Sequence, residues 1–133
     1  MTTVLEGRAR RDTMPPMASL CLVGVVLGWI TVVLLIDADS TRWVQRGLGL
    51  VTWAVLAGLL TRESPLVRMQ TAVVVVYAAI IEYTFSPLLE VYTYRFDNVP
   101  LYVPPGHGLV YLAALAIGRL AFVQAHSRAC TWE

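Results

Sequence analysis

Unbroken apolar blocks of membrane-crossing length constrain this chain more than any other feature. Residues 15–36 contain no charged side chain and lie between Asp12 and Asp37. At about 1.5 Å of rise per residue, such a block crosses a hydrocarbon layer of about 30 Å as one helix. Further blocks predict helices at about 44–61, 66–86 and 107–125. The second is the shortest, and it reaches spanning length when Val44 and Gln45 join it and Arg46 and Arg62 snorkel at its ends. The third holds the β-branched run Val73 to Val76. A lone strand leaves its backbone groups unsatisfied in lipid, so helix is the expectation there too. Together the blocks predict an all-α fold, an integral membrane bundle of four transmembrane helices forming one domain over residues 1–133, with a polar loop at 87–106.

Composition narrows the function classes. The chain is 57% apolar and 14% charged, with a mean hydropathy of +0.65, whereas soluble domains run at about 45–50% apolar and about 25% charged. A water-soluble globule and a disordered chain are both excluded. Ten arginines oppose nine carboxylates, and there is no lysine. With no basic stripe, no nucleic-acid partner is expected, and the partner that composition implies is the lipid bilayer.

Four crossings put both termini on one side, and arginine placement predicts which. Arg8, Arg10, Arg11, Arg62, Arg68 and Arg128 fall on the terminal side, against Arg42, Arg46 and Arg95 on the other. Both termini are therefore expected in the cytoplasm, with the protein in the cytoplasmic (inner) membrane and the 87–106 loop facing outward. A cleaved signal peptide is the competing reading of the first block, with Arg8 to Arg11 as leader and Ala38 as cleavage site. The block exceeds the usual core of about 7–15 residues, which favours an uncleaved helix. Cys21 falls in the inner half of helix one and Cys130 in the cytoplasmic tail, where thiols stay reduced.

Gly24 and Gly28 in helix one, and Ala54 and Gly58 in helix two, have the four-residue spacing that lets helix backbones approach. Packing within the bundle is the expectation, and a homo-oligomer or a membrane-protein partner is the alternative. Of Trp29, Trp43 and Trp53, Trp43 is the one beside a loop, where an interfacial aromatic belongs; the others are read as anchors or lipid-facing bulk.

The chemistry-bearing stretch runs from Glu82 to His107. It holds three carboxylates, Glu82, Glu90 and Asp97, one of the two histidines, and four of the six tyrosines. Ionisable groups at membrane depth are costly, which makes them functional candidates by default. Thr71, Val75, Ala78 and Glu82 follow 4, 3, 4 spacing, so Glu82 should face into the bundle at the end of a stripe of mostly small side chains. Pro87 has no amide hydrogen to give residue 83 and crowds its carbonyl, so the helix should bend or stop near Ser86. Glu90 would share Glu82's face only if the helix resumed. His107 opens helix four and, with helices three and four antiparallel, should lie at the depth of Glu82. A facing Glu and His could relay a proton, hold a divalent metal with Glu90 or Asp97 as third ligand, or satisfy each other. Tyr92, Tyr94, Arg95, Asp97 and Asn98 are the candidate substrate-binding residues of an ordered outer cap. Arg119 lies about 18 Å further along helix four, too deep to meet Glu82, and should snorkel or meet phosphate headgroups.

The run Tyr92-Thr-Tyr94-Arg95-Phe-Asp97-Asn98-Val-Pro100, continuing through Pro104-Pro105-Gly106-His107 and preceded by Glu82, resembles uncharacterised membrane proteins of high-GC actinobacteria. That resemblance covers Glu82 to Arg119, and the absence of lysine suits such a source. The same stretch is more loosely similar to the bacterial carotenoid-hydratase membrane family, where a helical glutamate precedes a Tyr-x-Tyr segment and a Val-Pro step. The second resemblance implies acid-catalysed addition of water to an isoprenoid end, with Glu82 or Glu90 protonating an alkene and Asp97 positioning water. Pro104-Pro105-Gly106-His107 also resembles an element of membrane phosphatidic-acid-type phosphatases, but a chain without lysine lacks their first motif. Three functions follow as expectations: a small polytopic membrane protein with an outer polar site, an isoprenoid or lipid hydratase or isomerase, and a non-catalytic complex subunit or small transporter. No cofactor is named by these residues.

Overall fold

A computed structural model of the chain describes residues 15–120. Arg8, Arg10, Arg11 and Arg128 of the charge argument, Cys130, and residues 121–125 of the fourth predicted helix lie outside the described residues. The described residues are helical with no strand, in four helices: α1 (Pro16–Asp37), α2 (Arg42–Leu60), α3 (Pro65–Tyr83) and α4 (Val103–Gly118). Three of them are long and apolar enough to cross a membrane, and α4 is shorter at 16 residues. The described residues thus form an all-helical membrane bundle, as the apolar blocks predict.

Local chemistry sets the helix ends. Thr41 caps α2 by accepting from the Val44 amide, and Ser64 caps α3 by accepting from Val67, with Pro65 in the first turn. The Thr41 cap starts α2 slightly earlier than its apolar run. The fourth helix differs more: it begins at Val103, not His107. Pro104 and Pro105, which fall inside the loop expected at 87–106, occupy the first turn of this helix, where a missing amide hydrogen has no helical partner to lose. His107 therefore stands in the second turn. After α3, Thr84–Leu88 forms a π-helical turn around Pro87, so the chain widens there before it stops.

The core forms around α4, which packs against all three other helices. Leu22 and Val26 of α1, Leu56 of α2, Val67 and Val75 of α3, and Leu109, Leu112, Ala113 and Ala116 of α4 make up the buried cluster. Small residues on α4 permit this. A Cβ on Gly108 would come within 2.8 Å of Val75 and 3.0 Å of Leu56. Gly49 of α2 plays the same part for the long loop, since a Cβ there would meet that of Leu101 at 2.5 Å.

The expectation that Gly24, Gly28, Ala54 and Gly58 pack within the bundle is not met. All four are exposed, and the three glycines have open space where a side chain would stand. The reason is positional: α4 holds the centre, so these faces of α1 and α2 turn outward. Trp29 is likewise no lipid-facing anchor, because its Nε1–H donates to Thr52 Oγ1 at 3.0 Å and ties α1 to α2. Trp43 is exposed, as its place beside a loop suggests.

The two loop-bearing ends are built differently. At the short-loop end Glu63, only 6% exposed, takes both guanidinium nitrogens of Arg119 at 3.2 and 3.1 Å. The expectation that Arg119 snorkels or meets phosphate headgroups is not met. That side chain turns inward because Glu63, in the turn between α2 and α3, lies level with the end of α4, and a buried carboxylate needs a partner. Arg68 donates to the carbonyls of Leu60, Thr61 and Glu63, closing the end of α2.

Candidate functional site

The opposite end carries the polar groups singled out by sequence. Thr71, Val75 and Ala78 are buried along one face of α3, and Glu82 ends that stripe with its side chain 12% exposed. Beyond it the π-helical turn closes with hydrogen bonds from Leu89 to Thr84 and from Val91 to Phe85. Glu90 then adopts φ 50, the left-handed region, and the chain reverses. The reversal returns Tyr92 and Tyr94 to Glu82. Both hydroxyls donate to Glu82 Oε2, at 2.5 and 2.8 Å, and the two rings meet edge to face at 5.8 Å.

The other carboxylate oxygen, Oε1, faces His107 Nε2 at 3.9 Å. The shared depth inferred from antiparallel helices is therefore a contact-range approach. His107 Nδ1 lies 3.0 Å from the Val103 carbonyl. A carbonyl only accepts, so the ring carries a hydrogen on Nδ1 and turns Nε2 toward Glu82. Burial first, then the bond to Glu82, pushes the Tyr94 hydroxyl well above the ordinary tyrosine value; for Tyr92, at the surface, the bond to Glu82 is the leading cause. Both remain donors across the neutral range.

A second carboxylate, which sequence reasoning treated only as the end of a helix, anchors the same face. Asp37 accepts from Tyr102 at 2.9 Å, from Ser40 at 3.1 Å and from the buried Gln45 at 3.2 Å. Burial, and then this bond, raises the Tyr102 hydroxyl also. The available signal was the short spacing of Asp37 and Gln45 across one tight turn, which places a carboxylate and an amide donor at equal depth.

Not every candidate joins the cluster. Arg95 donates to the carbonyls of Ala38 and Ser40, and it shares the Phe96 ring with Arg42, which donates to the Phe96 carbonyl. It is thus a staple between the long loop and the α1–α2 turn. Asp97 is exposed in a turn at φ 54, Asn98 is exposed, and the Glu90 carboxylate makes none of these contacts. Among the described residues no three His, Cys, Asp or Glu side chains converge, so the metal arrangement lacks a third ligand there.

Beside the cluster, a groove of about 190 Å³ runs between α1, α2 and α4. Ile30, Val33, Leu34, Val103 and Val110 give it apolar walls, and Trp29, Thr52, Tyr102 and His107 complete a lining that is almost wholly apolar. His107 belongs to both groove and cluster. Such an apolar concavity can hold a small apolar group. No protein-family model, curated protein or solved structure matches this chain.

Proposed function

We propose that this is a small polytopic protein of the cytoplasmic membrane, with both termini in the cytoplasm, whose outer face carries a site where Glu82 and His107 share a proton beside a lipid-accessible groove. The observation that carries this reading is the division of labour at Glu82. One oxygen is saturated by two tyrosine hydroxyls, while the other faces an imidazole nitrogen whose ring hydrogen is committed to Val103. Oε1 and Nε2 are thus left facing each other at 3.9 Å, the arrangement that a small approach would let a shared proton join. Tyr92 and Tyr94 hold the carboxylate in place for that exchange, and Arg95 holds the loop that carries them.

An acid–base enzyme of the hydratase or isomerase class is the second reading, and the position of His107 on the groove favours it. In that case His107 is the group beside the apolar substrate and Glu82 orients it, while Glu90 and Asp97 stand apart. The open faces at Gly24, Gly28, Ala54 and Gly58 support a third, non-catalytic reading as a homo-oligomer or complex subunit.

Glu82→Gln and His107→Gln variants, followed by insertion, complex formation and cellular lipid or carotenoid profile, separate these. An accumulating lipid precursor with intact assembly supports the enzyme. Lost complex formation with unchanged lipids supports the subunit and contradicts a chemical role for the pair. For orientation, Thr93→Cys in a chain with Cys21 and Cys130 changed to Ser should react with an impermeant maleimide from outside the cell; labelling from the cytoplasm alone reverses the topology.

A further inference from the structure

We propose that α2 binds an anionic phospholipid, its phosphate held by Arg42 and Arg46 and one acyl chain lying along the same helix face. The inference starts from charge that the fold leaves uncompensated. Arg42 and Arg46, one turn apart, are both exposed at the N-terminal end of α2. That end already carries partial positive charge from the helix backbone, and the first turn contains no acidic residue to oppose it. Arg95 adds a third cation nearby, since it and Arg42 stack on the one Phe96 ring, at 4.5 and 5.5 Å from its centre. Among the described residues no carboxylate pairs with any of the three guanidiniums. Asp39 and Asp97, exposed in the adjoining turns, form no ion pair with them either. Cations gathered in this way at the end of a membrane helix are completed by an anion.

Aromatic rings brace the two side chains. Arg46 lies over Trp43 at 5.0 Å, so its guanidinium reaches back one turn toward the loop end, as Arg42 reaches to Phe96. Arg42 gives one long hydrogen bond, 3.4 Å, to the Phe96 carbonyl. A guanidinium has five N–H groups, so the planar fork that matches two phosphate oxygens stays available. Depth selects a lipid over a soluble anion. Arg46 stands about 6 Å inside the start of α2, and Leu50, Trp53 and Ala57 continue its exposed line toward the membrane centre at spacings of 4, 3 and 4. Leu50 is 65% exposed and Trp53 39%, so a phosphate at Arg46 has its acyl chain beside an apolar stripe. A zwitterionic head brings an ammonium of its own among these cations, whereas phosphatidylglycerol brings only negative charge and hydroxyls.

This site uses neither Glu82 nor His107, so it stands or falls apart from the proton-sharing pair. The test places the full chain in phosphatidylcholine nanodiscs with a trace of either phosphatidylglycerol or phosphatidylcholine carrying a diazirine on one acyl chain, and maps the labels by mass spectrometry. Within residues 50–57 the phosphatidylglycerol probe should label at least fivefold more than the phosphatidylcholine probe. On the outer face of α3, at Val73 and Val76, the two probes should label alike. Arg46→Gln and Arg42→Gln should each lower the α2 excess about fivefold, whereas Arg62→Gln, an exposed arginine at the other end of the same helix, should leave it. Glycerol phosphate, the same anion without chains, should not remove the excess at millimolar concentration. Equal labelling of α2 by both probes, an excess that survives Arg46→Gln or falls equally with Arg62→Gln, or displacement by glycerol phosphate would overturn the proposal, the last in favour of a soluble anion.

Discussion

The two ends of the bundle each shelter carboxylates, and they neutralise them by different means. At the short-loop end Glu63 is matched by Arg119, a partner whose charge is permanent. At the long-loop end Glu82 and Asp37 are matched by neutral hydroxyls, an amide and one imidazole. The first arrangement joins opposite charges across the bundle end and acts as a clasp. The second meets its carboxylates with groups that carry no permanent charge, which is why the proposed site is placed at that end.

The largest expected effect breaks the clasp. Arg119→Met leaves Glu63 buried without its cation and should cost about 3–5 kcal/mol of stability, most of it recovered by adding Glu63→Gln. Denaturation in mixed micelles measures both; a small loss would mean that Glu63 is solvated and that the ends are alike. Next, Tyr94→Phe removes one hydrogen bond to a charged group at the long-loop end, at a cost of about 1.5–3 kcal/mol. Hydrogen exchange should rise across residues 89–102 and stay unchanged around Glu63. Spread of the change to both ends would erase the distinction drawn between them.

Alkaline titration sharpens the contrast further. Burial, and then the bonds to Glu82 and Asp37, raise the Tyr94 and Tyr102 hydroxyls above their ordinary value of 10.0. The folded loop therefore retains protons that the unfolded loop releases, and stability from these groups is complete below about pH 10 and declines as pH rises above it. Tyrosinate absorbance should appear together with loss of the loop, while the Glu63–Arg119 end, with no tyrosine in it, holds. The smallest effect is at Glu90. Glycine suits φ 50 better than any L side chain, so Glu90→Gly should stabilise the loop by about 0.5–1 kcal/mol in thermal unfolding. Destabilisation would show instead that the Glu90 carboxylate takes part in the site.

Much of the fold was legible because membrane helices announce themselves one at a time. The blocks located all four helices, and the 4, 3, 4 stripe from Thr71 to Glu82 aimed Glu82 inward on local periodicity alone. What was not legible depends on which elements meet. The choice of α4 as the central helix decides that Gly49 and Gly108 are the close approaches and that Gly24, Gly28 and Gly58 are open, yet all five look alike within their own segments. The Glu63–Arg119 pair spans 56 positions, and the Asp37–Tyr102 bond spans 65. Neither pattern exists within a single helix. Pro104 and Pro105 misled for a different reason, since the residue that breaks a helix interior is also at home in its first turn.

The central claim is that Glu82 and His107 hold one proton between them. Solid-state NMR on the chain with His126→Asn, carrying ¹⁵N-labelled histidine and ¹³C-labelled glutamate in bilayers, tests it most directly. The expected result is a ring with its hydrogen on Nδ1 and an Nε2 signal that Glu82→Gln shifts, as coupling of the two groups through that nitrogen requires. A ring that carries its only hydrogen on Nε2, or an Nε2 signal that Glu82→Gln leaves unchanged, would contradict the account.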